Sequence, residues 1–206
     1  MNEDLENMDD DFEYADDPAD FKEEFEMWRL LAEQEDDAEA QLHLGQIYQY
    51  GLGVKEDDKE AVKWYRLAAE QGEPEAQHSL GAMYENTKDH KKSFFWYWLS
   101  AQGGFADGQL SLGTMYYKGE GVTQDYKEAV KWYQLSAEQG HSEAQYKLGE
   151  IHENGKGVPQ DKDKAVNWYL LSAEHEEKAQ CKLTAMNDKG VLSQFIINTM
   201  NKPLTL

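Results

Sequence analysis

Apolar residues recur along this chain at two alternating helical spacings. Ala40, Leu44, Ile47 and Tyr48 stand at i, i+4, i+7 and i+8, and Ala61, Trp64, Tyr65, Ala68 and Ala69 at i, i+3, i+4, i+7 and i+8. Each series lays one apolar stripe along a helix, with polar residues filling the remaining turns. The pattern predicts a first-type helix followed by a second-type helix. Between them Gly51-Leu52-Gly53-Val54 supplies the left-handed backbone needed to leave the first helix, and Asp57 or Asp58 is placed to cap the second. Gly72, Gly104 and Gly140 close second-type helices in the same way.

The helix pair repeats. Trp64-Tyr65, Trp96-Tyr97, Trp132-Tyr133 and Trp168-Tyr169 lie 32, 36 and 36 residues apart, and Gly45, Gly81, Gly113 and Gly149 lie 36, 32 and 36 apart. Gln41, Gln77, Gln109, Gln145 and Gln180 add a fifth start, near Glu177. Such a period means that each unit hides one face on its neighbour, so the array predicts an all-α, α/α solenoid superhelix. The four repeats fall at 38–72, 74–104, 106–140 and 142–176. The second is short: it runs from Asn86 to Lys92 without glycine and carries Ser93-Phe94-Phe95 where the others have Glu-Ala-Val. Those departures predict different packing and a local change of curvature.

The ends read as caps. Asp17-Pro18 is a helix start, and Phe21, Phe25 and Trp28 follow at i, i+4, i+7. Residues 17–36 therefore form a leading half repeat, equivalent to a second-type helix, behind a disordered acidic tail at 1–16. Residues 177–206 form a C-terminal cap, in which Thr184 replaces the usual glycine. Val191 to Met200, with Phe195, Ile196 and Ile197, reads as a closing helix or as a contact for a second copy or a partner. The whole of 17–206 is expected to behave as one elongated domain.

The pattern Ala-x-x-x-Leu-Gly-x-x-Tyr, Gly-x-Gly-Val, Ala-x-x-Trp-Tyr-x-x-Ala-Ala-x-x-Gly resembles the Sel-1-like repeat, a relative of the tetratricopeptide repeat, over residues 38–176. The resemblance implies an α/α superhelix that serves as an adaptor or scaffold for protein complexes, and by family prevalence a bacterial source. At about 100° per residue, Leu42, Gln46 and Gln49 lie opposite the Ala40, Leu44, Ile47 stripe, which predicts that they do not share its burial. The corresponding sets are His78, Ala82 and Glu85, then Leu110, Thr114 and Tyr117, then Tyr146, Glu150 and Glu153. Related superhelices line a concave groove with this face, and the resemblance implies that these residues contact the partner. Variation on a constant frame suits a ligand surface, and free drift at exposed positions gives the same pattern.

Charge sharpens the kind of partner. The chain carries a net charge of −21, of which residues 1–26, with 13 acidic groups and one lysine, contribute −12. Phe12 and Tyr14 sit inside that acidic run, which reads as a solubilising tail or as a segment able to fold onto a basic surface. Nucleic acid is disfavoured for want of clustered Lys or Arg, and a basic protein is favoured. No apolar run approaches a membrane span and the start has no signal-like segment, so no membrane contact and a cytoplasmic location are expected. The lone Cys181 excludes an intrachain disulfide, and since exported relatives pair cysteines between helices, it fits the same compartment. Oligomeric state is left open.

No catalytic, cofactor or metal site is expected. The histidines scatter over unlike repeat positions, with His152 in the place of a frame tyrosine, and His152-Glu153 lacks the second histidine of a helical zinc motif. Gly119-Glu120-Gly121 recurs as an interhelical turn and is no phosphate loop, and Ser-x-x-Lys is absent. Phe94 and Trp98 are the aromatic extras of the second repeat. They are expected to fill the space of the missing loop, the alternative being an exposed hot spot at Trp98, which replaces Arg66 and Gln134. The chain reads as a non-enzymatic interaction scaffold, or alternatively as an immunity or antitoxin-like inhibitor that captures a basic bacterial toxin.

Overall fold

The computed structural model describes residues 18–34, 36–193 and 195, without the side chains of 18–21 and 34. The acidic tail, the Asp17 cap, Ile196 and Ile197 lie outside these residues. No strand occurs among the described residues, which form the helices α1 Pro18–Gln34, α2 Ala38–Tyr50, α3 Asp58–Glu70, α4 Pro74–Asn86, α5 His90–Gln102, α6 Ala106–Lys118, α7 Tyr126–Glu138, α8 Ser142–Asn154, α9 Lys162–Ser172 and α10 Glu177–Asp188, with helical backbone again at 191–193 and 195. The fold class is all-α, built of tandem helix pairs of the solenoid type. α1 is a leading second-type helix and α10 a fifth first-type helix. By compactness the chain divides into Met1–Ala68 and Ala69–Leu206.

In the first unit, Ala32, Ala40, Leu44, Ile47 and Trp64 form the buried core, with Phe25, Trp28, Leu31 and Tyr48 packed against it. Trp28 stacks on His43 with ring centroids 4.2 Å apart. The second unit has one such cluster per layer: Tyr97, Ala101, Leu112 and Met115; then Ala129, Val130, Tyr133, Ala144 and Leu148; then Ala165, Val166, Tyr169, Ala179 and Met186. Val191, Leu192 and Phe195 pack on the last of these, so the described part of the C-terminal cap turns inward.

The recurring residues each do one physical task. The glycine of each first-type helix faces the tyrosine ring of its partner helix: a Cβ at Gly81 would lie 2.6 Å from Tyr97, and one at Gly113 2.8 Å from Tyr133. No larger residue allows that approach. Thr184 takes this place on α10, where its side chain is exposed and donates to the Gln180 carbonyl (3.0 Å). The recurring glutamine satisfies carbonyls left open at the end of the preceding second-type helix: Gln77 donates to Ala69, Gln109 to Ala101, Gln145 to Ala137 and Gln180 to Ala173, at 3.1, 3.4, 3.3 and 2.7 Å. Sequence reading missed a further set. Ser100, Ser136 and Ser172, all fully buried, donate to carbonyls in the first turn of their own unit's first helix, at Pro74, Ala106 and Ser142.

The second repeat departs less than its sequence suggests. Its four-residue deletion removes the glycine loop, yet the Asp89 amide still bonds the Tyr84 carbonyl (2.9 Å), as Asp125 bonds Tyr116 and Asp161 bonds His152. The α4–α5 pair keeps the Gly81–Tyr97 approach of its sisters, which overturns the expectation of different packing. Ser93, fully buried, takes the place of Ala61, so Lys92-Ser93-Phe94 is the true counterpart of Glu-Ala-Val. Phe94 is half-buried against Tyr116, edge to face at 5.5 Å. Trp98 is 40% exposed. The shortened turn puts Lys88 at φ 61°, a left-handed conformation that costs a residue with a Cβ about 1–2 kcal/mol. In the full-length loops that work falls to the first glycine, as at Gly119 with φ 77°.

Asp57 is the cap of α3, accepting from the amides of Lys59 (2.9 Å) and Glu60 (3.3 Å), as Asp89, Asp125 and Asp161 cap their helices. His152 occupies the frame position held by Tyr48, Tyr84 and Tyr116 and is buried, its Nδ1 without a hydrogen-bond partner. Burial pushes its pKa below the ordinary 6.5, and Lys164 pushes the same way against the opposing Asp161.

Two outcomes follow for stability. Lys88→Gly is expected to raise it by about 0.5–1 kcal/mol, the relief of left-handed strain less the entropy of glycine, measurable by urea unfolding. Because His152 is harder to protonate folded than unfolded, the unfolded chain takes up more protons as pH falls through 6.5, and stability drops with it. His152→Tyr is expected to flatten the fall in melting temperature between neutral pH and about pH 5, relative to the parent chain.

Candidate interaction face

The face singled out in sequence lies on α2 in the first unit and on α4, α6 and α8 in the second. Leu42 departs from expectation: it is buried at 6% exposure. A first-type helix is packed on more than one side, so its buried arc is wider than the single stripe that periodicity reports. Gln46, Gln49, His78, Ala82, Glu85, Leu110, Thr114, Tyr117, Tyr146, Glu150 and Glu153 are all half-buried.

These positions do not vary freely. Each frame tyrosine is buried up to its hydroxyl, and that hydroxyl needs an acceptor. Tyr65 donates to Gln49 (2.5 Å), Tyr97 to Glu85 (2.7 Å) and Tyr169 to Glu153 (2.7 Å). The third repeat has Tyr117 at that place, and the task passes to Thr114 one turn earlier, 3.1 Å from the Tyr133 hydroxyl. Thr114 itself donates to the Leu110 carbonyl (3.0 Å), so Tyr133 is the donor of that pair. Burial pushes Tyr97, Tyr133 and Tyr169 well above the usual phenol range, and the carboxylates of Glu85 and Glu153 add to it for Tyr97 and Tyr169. Glu153, against its own burial, is held below the usual carboxylate range by hydrogen bonds from Tyr169 and from Lys182 (3.0 Å).

The freed Tyr117 does something else. Its ring meets Tyr126 edge to face at 5.1 Å, and Lys156 donates to its hydroxyl (2.7 Å) while lying over both rings. His78 bridges α4 and α6 through Ser111 (3.2 Å) and lies 5.3 Å from the Tyr97 ring and 5.5 Å from Phe105. Its burial lowers its pKa and favours the neutral ring. Tyr146 lies 5.6 Å from Tyr169 and donates to Glu150 (3.3 Å); burial, then the nearby Glu150, push its pKa up to about 12.

Beside Tyr146 an open cavity of about 400 Å³ lies between α8 and α10, lined also by Glu177, Lys178, Cys181, Lys182 and Ala185. Sequence reading stopped the face at Glu153 and missed these residues. The signal was present: with Gln180 aligned on Gln41, Cys181, Ala185 and Asp188 take the places of Leu42, Gln46 and Gln49. Among the described residues, no group of three or more His, Cys, Asp or Glu side chains is placed to hold a metal ion. No helix among them is long and apolar enough to cross a membrane.

Thr114→Val, which keeps shape and removes the acceptor, is expected to cost about 1–2 kcal/mol by leaving the Tyr133 hydroxyl unpaired. Adding Tyr133→Phe is expected to recover most of the loss, and a double-mutant cycle by chemical denaturation checks both.

Comparison with known proteins places this geometry. The Sel1 repeat pattern matches residues 38–73, 74–105, 106–141 and 142–176. Among solved structures, the chain is similar to c5321, a protective antigen of uropathogenic Escherichia coli strains displaying an SLR fold, at 36% identity and TM-score 0.77 over 81% of this chain. It spans only 36% of that protein's length. A Sel1 repeat protein from Oxalobacter formigenes is similar at 34% identity and TM-score 0.77, over 84% of this chain and 71% of its own. The cysteine rich protein B of Helicobacter pylori shares 26% identity at TM-score 0.51, over 63% of this chain and 96% of its own. No curated protein sequence matches at a significant level. With four consecutive matches from residue 38 to residue 176, and the tyrosine-on-glycine packing behind them, the chain belongs to the Sel1 repeat family.

Proposed function

We propose that this protein is a non-enzymatic interaction scaffold that holds a basic protein segment on the first-type helix face of its second unit. Proteins of this repeat class generally mediate protein–protein interactions. The observation that carries the reading is the make-up of the α6–α8 face. Leu110 and Tyr146 offer half-buried apolar and aromatic surface on the same face as the Glu150 carboxylate, and the face runs on to an open cavity at Tyr146. Aromatic residues beside carboxylates suit a partner's lysine or arginine together with an adjacent apolar side chain. The net charge of −21 adds long-range attraction for such a partner. Gln46 and Gln49 form the equivalent surface of the first unit. A cytoplasmic location, where a lone exposed cysteine stays reduced, agrees with Cys181.

The charge also favours a second reading, in which the basic occupant is a bacterial toxin and binding covers its active surface. Inhibition of a basic toxin's activity by the intact chain separates the two.

Peptide display against the intact chain is expected to return binders that pair Lys or Arg with an apolar residue. Tyr146→Ala combined with Glu150→Gln is expected to weaken them about tenfold, and raised salt to weaken them further. Binders indifferent to that pair of substitutions and to Leu110→Ser overturn the reading.

A further inference from the structure

The second-type helix α5 carries two exposed aromatic rings on its outward side, where α3, α7 and α9 carry none. Phe95 and Trp98 stand where α3 has Lys63 and Arg66, α7 has Lys131 and Gln134, and α9 has Asn167 and an exposed Leu170. The two rings are 51% and 40% exposed, with Phe95 edge to face on Trp96 at 5.1 Å. Lys91, Phe95, Trp98 and Gln102 follow at i, i+4, i+7 and i+11, within one narrow arc of the helix, and all four are exposed. Next to the stripe, α5 and α9 carry a lysine, Lys92 and Lys164, where α3 and α7 carry a glutamate. Lys92 stands in the place of Glu60 and Glu128, the carboxylates that pair with Lys63 and Lys131 on the sister helices. Lys88 and Lys91 are exposed and pair with no carboxylate among the described residues, while Lys92 holds Asp89 at 2.8 Å. Three lysines against one aspartate make a local positive patch on a chain whose net charge is −21.

We propose that this stripe is a second docking site, separate from the first-type helix face, for an acidic protein segment with interspersed apolar side chains. Phe95 and Trp98 offer rigid aromatic surface that loses little conformational freedom when covered. Lys88 and Lys91, one to two turns towards the helix start, lie where the carboxylates flanking an apolar anchor would fall. The sign of the local charge selects the occupant: a basic segment would meet the exposed Lys88 and Lys91. With a basic partner on one face and an acidic one on the other, the scaffold would join two proteins of opposite charge.

The test uses the intact chain and a fluorescein-labelled synthetic peptide alternating Asp and Glu with Leu and Phe. Its counterpart has Lys and Arg in place of the acids. Anisotropy is expected to show saturable binding of the acidic peptide. Phe95→Lys with Trp98→Gln, the residues of α7, is expected to weaken it about tenfold or more, and Lys91→Glu about threefold. Tyr146→Ala with Glu150→Gln is expected to leave it unchanged, which separates this site from the first-type helix face. Circular dichroism confirms that the exposed substitutions leave the fold intact. The proposal is overturned if the acidic peptide does not bind, if the stripe substitutions leave its affinity unchanged, or if the basic counterpart binds the stripe equally well. Stripe-dependent binding to phosphatidylserine-containing vesicles without binding to the peptide also overturns it, in favour of a membrane surface.

Discussion

The seating of a tyrosine ring on a bare stretch of helix backbone is the interaction on which every layer depends. At Gly81, Gly113 and Gly149 the first-type helix offers no Cβ, and the rings of Tyr97, Tyr133 and Tyr169 occupy that space. Dispersion falls steeply with separation, so this approach fixes the distance between the two helices of a pair more sharply than an aliphatic contact would. Each ring ends in a hydroxyl, however, and burying a hydroxyl without a partner is costly. Glycine in one helix and tyrosine in the other therefore create a third requirement: an acceptor on the outward face of the first-type helix.

That requirement ties the frame to the candidate interaction face. Gln49, Glu85 and Glu153 meet it at one position, and Thr114 meets it from one turn away. The diversity there is partly chemical equivalence, since amide, carboxylate and hydroxyl oxygens all accept. Only where the task is moved, as in the third repeat, is the outward residue released: Tyr117 then pairs with Tyr126 and receives Lys156 from the next loop. Surface and core share these residues, so a ligand on this face would lie directly over the hydrogen bonds that close each layer.

The short repeat obeys the same logic. Deleting four residues spares the Asp89–Tyr84 bond and the ring contact at Gly81, because both depend on the helix ends and not on the loop's length. Its cost is local and sits at Lys88, whose left-handed backbone replaces a glycine. Its gain in exposed aromatic surface lies on the far side of α5, where nothing in the frame constrains the side chain.

Much of this was legible in the residues. Periodicity gave the helix pairs, their order, the left-handed glycines and a cap at Asp57 or Asp58, because these depend on neighbours within a turn or two of chain. The repeat gave the layering, since a stripe at fixed spacing has to be covered by the next copy. What the sequence left open depends on groups far apart in the chain. Helix geometry placed Leu42 outside the apolar stripe, yet it is buried, because burial is decided by all the helices around a residue and not by its own helix alone. The acceptors of the tyrosine hydroxyls, the inward donation by Ser136 and Ser172 and the exposure of Trp98 likewise follow from which helices meet and at what distance. A one-dimensional period carries no information about that separation, and only the tertiary structure decided it.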